Sequence, residues 1–280
     1  MSTYKIAIIG YGFVGKATHS MMPSSVDLKI YDTKPELSYP PNTQMSDLTD
    51  RDLFIVCVPT PSDTDGTAYL EYVKTAVRGI RKISNAPIIL RSTVPVGTSD
   101  KFNISFWPEF LRERHWQQDV YSNKYHIFGI NSQTEVVKEM INGLINEAYE
   151  ENKIQSKDII YLSTKEAELV KYVRNSFFAL KVSFFNEISS LCSSLSLDFN
   201  TIRHTVTLDP RINEDHSHVP GPDGQCGYGG ICLPKDTLSL YRQFEEHHVP
   251  SYLLKATLDR NNEVDRPQKD WMKEHGRAVI

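Results

Sequence analysis

Cysteine is scarce in this chain: Cys57, Cys192, Cys226 and Cys232 are the only four in 280 residues. That is too few for a disulfide framework at this length and points to a reduced, cytoplasmic setting. Positive charge is not in excess either, with 31 Lys and Arg against 35 Asp and Glu and a net charge of −4. There is no basic field to attract nucleic acid, so an anionic ligand must be held by local groups. No apolar run approaches the roughly 20 residues that span a bilayer, and strand-like sequence begins where a signal peptide would lie. Repeats and low-complexity tracts are absent. What remains is an ordinary globular composition, 40% hydrophobic and 24% charged, long enough for one or two domains.

Up to Ser163 the pattern alternates between strand and helix. Lys5–Gly10 reads as a short apolar strand, followed by a helix to about Met22. Leu28–Asp32 and Leu53–Pro59 read as the next strands, the latter apolar throughout and so buried on both faces. Helical spacing over Ala68–Ile83 precedes a strand at Pro87–Thr93. Ile104–Phe110 and His126–Ile130 are further strands, and the helix Thr134–Glu150 leads to a last strand at Asp158–Leu162. This order predicts a doubly wound, Rossmann-like parallel α/β sheet. Beyond Ser163, Glu166–Leu197 contains no Gly or Pro and reads as one long helix. Its apolar positions are Leu169, Val173, Phe177, Leu180, Phe184, Ile188 and Leu191. Shorter helices are expected at Asn200–Leu208, Pro234–Glu246 and Pro250–Asn262, with a ligand-contacting loop across His204–Cys226. The predicted domains are residues 1–163, Rossmann-like, and 164–280, all-α and built on the long helix.

Gly10-Tyr11-Gly12-Phe13-Val14-Gly15 follows the first strand and opens the first helix, the context that gives a G-x-G-x-x-G motif meaning. Asp32 lies about 20 residues further on, at the end of the second strand, where a carboxylate accepts hydrogen bonds from an adenosine ribose. The same carboxylate would repel a 2′-phosphate, so the expected cofactor is NAD rather than NADP.

Gly227-Tyr228-Gly229-Gly230-Ile231-Cys232-Leu233-Pro234-Lys235-Asp236-Thr237 combines glycines that let the backbone approach a ligand with a cysteine just before a helix start. A thiolate is favoured there, and Asp236 follows about one turn later. A buried structural cysteine beside a glycine turn fits the segment equally well. Lys171 and Asn175 share one face of the long helix; a solvated lysine and a surface amide are the alternative. Arg91-Ser92-Thr93-Val94-Pro95-Val96-Gly97-Thr98 sets hydroxyls at the C-terminal end of a strand, where open α/β sheets bind ligands. Glu109 and Glu113 are two carboxylates four residues apart, or simply a charged helix start.

Taken together in this order, these segments and Val-Cys-Val-Pro-Thr-Pro at Val56–Pro61 resemble the UDP-glucose/GDP-mannose (nucleotide-sugar) 6-dehydrogenase family. The resemblance covers most of the chain. It implies two successive oxidations of a sugar primary alcohol, with hydride passed to two NAD molecules, to give a uronic acid. Cys232 would carry the thiohemiacetal and thioester. Lys171, with Asn175 and Asp236, would stabilise oxygen charge and move its proton. Glu109 would serve as base for thioester hydrolysis, with Thr93 ordering the water. Gly10, Gly12, Val14, Gly15, Asp32, Thr60, Thr93, Glu113 and Lys235 correspond to the cofactor side. Glu109, Phe110, Leu111, Lys171, Asn175, Arg211, Gly221, Gln225 and Gly229 correspond to the side that holds the nucleotide sugar, UDP-glucose first. A homodimer through the helical domain is a further family expectation.

The departures are specific. Set against the family's pattern, the chain is expected to lack the C-terminal nucleotide-binding domain, and Pro267 sits where a long helix would continue. Only about 20 residues separate Asp32 from the strand at Leu53, too few for the usual strand–helix excursion, and no helix is expected between Thr98 and Ile104. Tyr125 stands where an Arg usually precedes the next strand. Two other readings stay open: a two-electron β-hydroxyacid dehydrogenase, and a non-catalytic NAD- or nucleotide-sugar-binding protein that needs a partner. His216, His218, His247 and His248 lack companions at metal-ligand spacing, so no metal is expected. A Cys226–Cys232 disulfide would block the nucleophile. Phe177, Phe178, Phe184 and Phe185 read as helix-packing core.

Overall fold

Among the described residues seven strands form one sheet: β1 (Lys5–Ile9), β2 (Asp27–Tyr31), β3 (Leu53–Val56), β4 (Ile88–Leu90), β5 (Ser105–Phe106), β6 (His126–Ile130) and β7 (Ile159–Ser163). Their order is β2-β1-β3-β4-β5-β6-β7. The structure, a computed structural model, describes residues 4–63, 65–131 and 134–280. It divides into two compact units, Met1–Thr60 with Leu70–Lys171, and Pro61–Tyr69 with Tyr172–Ile280.

In the first unit every strand pair is parallel except β5–β6, where Phe106 lies antiparallel to Gly129. Successive residues of the central strands feed opposite faces, the period-2 geometry of a sheet covered on both sides. Ile6, Ile8, Ile30, Leu53 and Ile55 enter one core, which also takes residues of α1 (Phe13–Ser20) and of a 17-residue helix, Thr134–Glu150. Ala7, Ile9, Phe54, Val56 and Leu90 enter the other, against Val73, Ala76, Val77 and Ile80 of α2 (Glu71–Arg81).

Three local features differ from the sequence pattern. The strand expected over Ile104–Phe110 shrinks to two residues because Pro108 cannot donate to the ladder. A short helix, α3 (Thr98–Phe102), forms where none was expected, entered through Gly97 at φ +88° and left through Asn103 at φ +51°. A further six-residue helix, α4 (Trp116–Tyr121), has no strong periodic signature. The Thr134–Glu150 helix (α5) matches its predicted bounds. Between β2 and β3 the chain makes only two short 3₁₀ turns, and Tyr39 bridges antiparallel to Ile30 along the sheet edge. The short spacing there allows no more.

The long helix is α6 (Thr164–Ser194), and the two units part inside it; the predicted domain boundary lies at its head. The second unit continues with α7 (Phe199–Thr207), α8 (Cys232–Glu246) and α9 (Tyr252–Arg260), and a small buried cluster of Phe185, Cys192 and Phe199 joins α6 to α7. Here the expectation for the apolar stripe fails. Val173, Phe177, Phe184 and Leu191 are 51%, 60%, 51% and 52% exposed. The flank that α6 buries instead carries the small and polar Asn175, Ser176, Ala179, Ser183 and Asn186 beside Tyr172 and Phe185, so of the four Phe expected as core Phe185 is buried while Phe177 and Phe184 are not. Phe178 stacks on the His216 ring at 4.2 Å. The segment Pro61–Tyr69 belongs to this unit through hydrogen bonds from Ser62 N to Ala278 O, from Ile280 N to Ser62 O, and from Arg242 Nε to Asp65 O. Among the described residues no helix is long and apolar enough to cross a membrane.

Candidate active site

The glycine loop lies where the strand order reverses on either side of β1, the topological position at which open α/β sheets bind ligands. Gly10 has φ +92°, and a Cβ there would sit 2.8 Å from Cys57 O, so only glycine fits. A Cβ on Gly15 would fall 2.2 Å from Gly10 O. At Gly12, the N-cap of α1, a Cβ would meet nothing within 4 Å, and no side chain caps the helix. Open space beside uncapped helix N–H groups is a cradle for a pyrophosphate. Asp32 Oδ2 accepts from Tyr11 N at 2.7 Å and Oδ1 from Lys34 N at 2.9 Å, which fixes the carboxylate at the loop with lone pairs to spare for a ribose. Val14 packs partly against the core, and Thr60 is buried. These residues fit NAD. Tyr11 is tied to α1 by its hydroxyl, 2.6 Å from His19 Nδ1.

Elsewhere in the first unit Lys171 and Glu109 form a buried pair. Lys171 Nζ donates to Glu109 Oε1 at 2.6 Å and to Glu109 O at 2.7 Å, while Leu111 N donates to Glu109 Oε2 at 2.8 Å. Both charges are thereby hydrogen-bonded, the condition for burying an ion pair without a large penalty. The Lys171 ammonium lies 5.7 Å from the centre of the Phe110 ring. Thr93 is buried on the loop after β4, whereas Glu113 is exposed.

Sequence reasoning missed Glu168. It is fully buried, three residues before Lys171 on α6, and accepts from Gly97 N at 2.6 Å and Ser99 N at 2.7 Å. The carboxylate thus satisfies free N–H groups at the start of α3, which explains a helix of only five residues. It also anchors the loop that carries Thr93. Burial pushes its pKa up, against the lowering effect of those hydrogen bonds. The available signal was its i,i+3 spacing from Lys171.

In the second unit Cys232 is the first residue of α8, two positions earlier than the sequence placed the helix start. One turn on, Asp236 is buried; its Oδ2 accepts from Asn175 Nδ2 and its Oδ1 from Lys235 Nζ, both at 2.5 Å. The glycine approach to Cys232 is held from behind. Gly227 N donates to Asn186 Oδ1 at 3.0 Å, and Asn261 makes a two-point amide contact with Tyr228, at 2.8 Å to its N and 3.0 Å to its O. Asn261 opens a π-helical turn, Asn261–Asp265, at the end of α9. A Cβ on Gly229 would lie 2.3 Å from the Arg266 guanidinium carbon, and that buried cation is itself paired with Asp223 and Asp270, both at 2.6 Å. Asn186, Asn261 and Arg266 were not anticipated, because they act only through the tertiary fold. Gly221 N donates to Gln225 O at 2.8 Å, closing a turn, while Arg211 is exposed and paired with Asp209. None of the four cysteines is in a disulfide, and among the described residues no group of three or more His, Cys, Asp or Glu is arranged for a metal.

The glycine loop, the reversal of strand order and Asp32 define a Rossmann-type dinucleotide-binding protein. Comparison with known proteins makes this specific. Residues 37–153 match the NAD binding domain of the UDP-glucose/GDP-mannose dehydrogenase family, and residues 165–263 match its central domain. The chain belongs to this family. It is 31% identical over 245 residues to UDP-glucose 6-dehydrogenase of Rhizobium meliloti (strain 1021), covering 82% of this chain and 52% of that protein. It is 30% identical over 235 residues to the enzyme of the same name from Rickettsia conorii, covering 79% and 51%. The chain thus spans about half the length of the curated relatives it matches. Among solved structures, a UDP-glucose dehydrogenase from Pyrobaculum islandicum aligns with TM-score 0.77 at 24% identity, over 93% of this chain and 68% of that one. A Mycobacterium tuberculosis 3-hydroxyisobutyrate dehydrogenase aligns with TM-score 0.71 at 14% identity, over 92% of both. These two likenesses show the fold.

Proposed function

We infer that the chain oxidises the C6 primary alcohol of a nucleotide sugar, UDP-glucose first among candidates, to the uronate in two hydride transfers. The observation that carries this reading is Cys232 at the head of α8, with the Asp236–Asn175 pair one turn behind it and its glycine approach held by Asn186, Asn261 and Arg266. A cysteine kept merely for packing needs no such support. Bound at the glycine loop, NAD would supply the hydride acceptor. The Cys232 sulfur would add to the C6 aldehyde and hold it as a thiohemiacetal, then as a thioester, so that the aldehyde does not escape between the two oxidations. Lys171 and Asn175 would offer an ammonium and an amide to the developing oxyanion, with Asp236 orienting the amide. Glu109 would take the proton from the water that cleaves the thioester, with Thr93 ordering that water. The chemistry asks these groups to act on one carbon.

Val14, Thr60, Glu113 and Lys235 are assigned to the cofactor side, and Phe110, Leu111, Arg211, Gly221, Gln225 and Gly229 to the substrate side. The exposed stripe of Val173, Phe177, Phe184 and Leu191 supports a homodimer through α6, since contiguous apolar surface marks an interface. Thiols left reduced suit the cytoplasm.

The test is to count NADH formed per nucleotide sugar consumed. Two NADH per UDP-glucose is expected, and loss of uronate in Cys232→Ser. A ratio of one would favour the two-electron hydroxyacid reading, and saturable NAD binding without turnover on any nucleotide sugar would favour the non-catalytic one.

A further inference from the structure

Arg91 is a buried charge that the proposed chemistry leaves unused. It precedes Ser92, is 4% exposed, and its guanidinium carbon lies over the Trp107 ring, 3.8 Å from the ring centre. Its Nε has no hydrogen-bond partner among the described residues, and Nη1 reaches only the Met21 sulfur at 4.0 Å. The ring face offers attraction to the cation but no lone pair to its N–H groups. A buried cation with an N–H that lacks an acceptor is costly enough that native folds supply one, as a protein group, an ion or ordered water.

A narrow cleft of about 30 Å³ adjoins it, lined by Arg91, Glu109, Asp119, Asn123 and His126 among others. At roughly 10–15 Å³ per water, it takes two or three molecules. An anion would face the carboxylates of Glu109 and Asp119. Water suits both signs, because it accepts from Arg91 and donates to a carboxylate.

We propose that this cleft is a hydration channel, in which water anchored by Arg91 reaches Glu109 and supplies the molecule that cleaves the Cys232 thioester. The inference rests on the reading of Glu109 given above. In the step supplied, the water oxygen bonds to the thioester carbon and the C–S bond breaks. The water proton passes by way of Glu109 to the departing Cys232 sulfur, and nothing is oxidised or reduced. Arg91 is a positioning residue here, acting through the water it holds.

Two measurements on the full chain test this. A high-resolution crystal structure is expected to show water within hydrogen-bond distance of Arg91 Nε and a further water toward Glu109; a dry cleft, or one filled by a side chain, overturns the proposal. With UDP-glucose and NAD, Arg91→Met is expected to keep a burst of two NADH per site while the steady-state rate falls about tenfold. The Cys232 adduct should then accumulate, seen by intact mass. Arg91→Lys, which restores a cationic donor, is expected to lie in between and serves if Arg91→Met does not fold. Burst and steady state falling together, or neither falling, sinks the supply role. Absence of turnover by the unsubstituted chain removes the reading of Glu109 and with it the supply role, while the crystal still decides whether the cleft is wet.

Discussion

Replacing Glu168 by glutamine tests whether a buried carboxylate organises the loop that bears Thr93. The wild-type group accepts two backbone N–H bonds, from Gly97 and Ser99. Glutamine keeps one acceptor and turns an NH₂ toward the other N–H, leaving a buried donor without a partner. A stranded buried donor costs about 1–3 kcal/mol, so a loss of about 2 kcal/mol is expected. In a chain of this size that corresponds to roughly 4–8 °C in the melting temperature of the first unit. The pH dependence is diagnostic. Burial raises the Glu168 pKa above its ordinary 4.5, so the folded state holds the proton longer than the unfolded state does. Its contribution is therefore full below the ordinary value and declines as pH rises through the raised one. Glutamine does not titrate, so the gap between wild type and variant should narrow on going from pH 4 toward pH 8, within roughly the range of such shifts. Denaturant unfolding across that range reads the gap, and amide exchange at Gly97 and Ser99 reads the local contact. A gap of constant size, or unchanged protection of those two amides, would refute the reasoning.

Two further outcomes follow from titration and burial. Burial and the nearby Lys153 lower the His19 pKa below 6.5, so the ring is neutral at neutral pH; in the tautomer that carries its proton on Nε2, Nδ1 accepts from the Tyr11 hydroxyl and loses that capacity on protonation. NAD affinity, measured by calorimetry, is expected to fall several-fold as pH drops below that value in wild type but not in Tyr11→Phe; equal pH profiles would dismiss the link. Cys57 is buried with its thiol pushed up to about 11, and Cys192 is also buried. Iodoacetamide at pH 8 should label Cys226 and Cys232 first, and rapid labelling of Cys57 in the native protein would contradict the fold.

The sheet was legible because strands buried on both faces become continuous apolar runs, as Leu53–Val56 does, and because Gly10, Gly12 and Gly15 stand between a strand and a helix. The length of α6 was legible for a related reason, since a long stretch free of Gly and Pro permits little else, while α5 was legible from its helical spacing in spite of Gly143. The orientation of α6 was not. Its stripe of large apolar residues looks like a core face, yet the fold buries the flank carrying Asn175, Ser183 and Asn186, whose amides and hydroxyl find partners. Nothing in the local pattern distinguishes a stripe meant for a core from one left outside. Motif residues such as Cys232 and Lys171 could be named from spacing, whereas their supports could not. Glu168, Asn261 and Arg266 are common residue types at unremarkable positions, and only the fold brings them to the glycines and backbone amides they serve.

The second unit is not one stretch of chain. Ser62 shares backbone hydrogen bonds with Ala278 and Ile280, and Asp65 O accepts from the Arg242 side chain, so its early segment waits for partners some two hundred residues downstream. Closing so large a loop is slow, although the entropy it loses grows only logarithmically with length. During synthesis the residues around Ser62 leave the ribosome long before their partners exist, and they must stay unpaired while the neighbouring strands assemble. A fragment beginning at Tyr172 would lack them altogether. This unit is therefore expected to resist expression as an isolated piece and to be the last part of the protein to reach its native contacts.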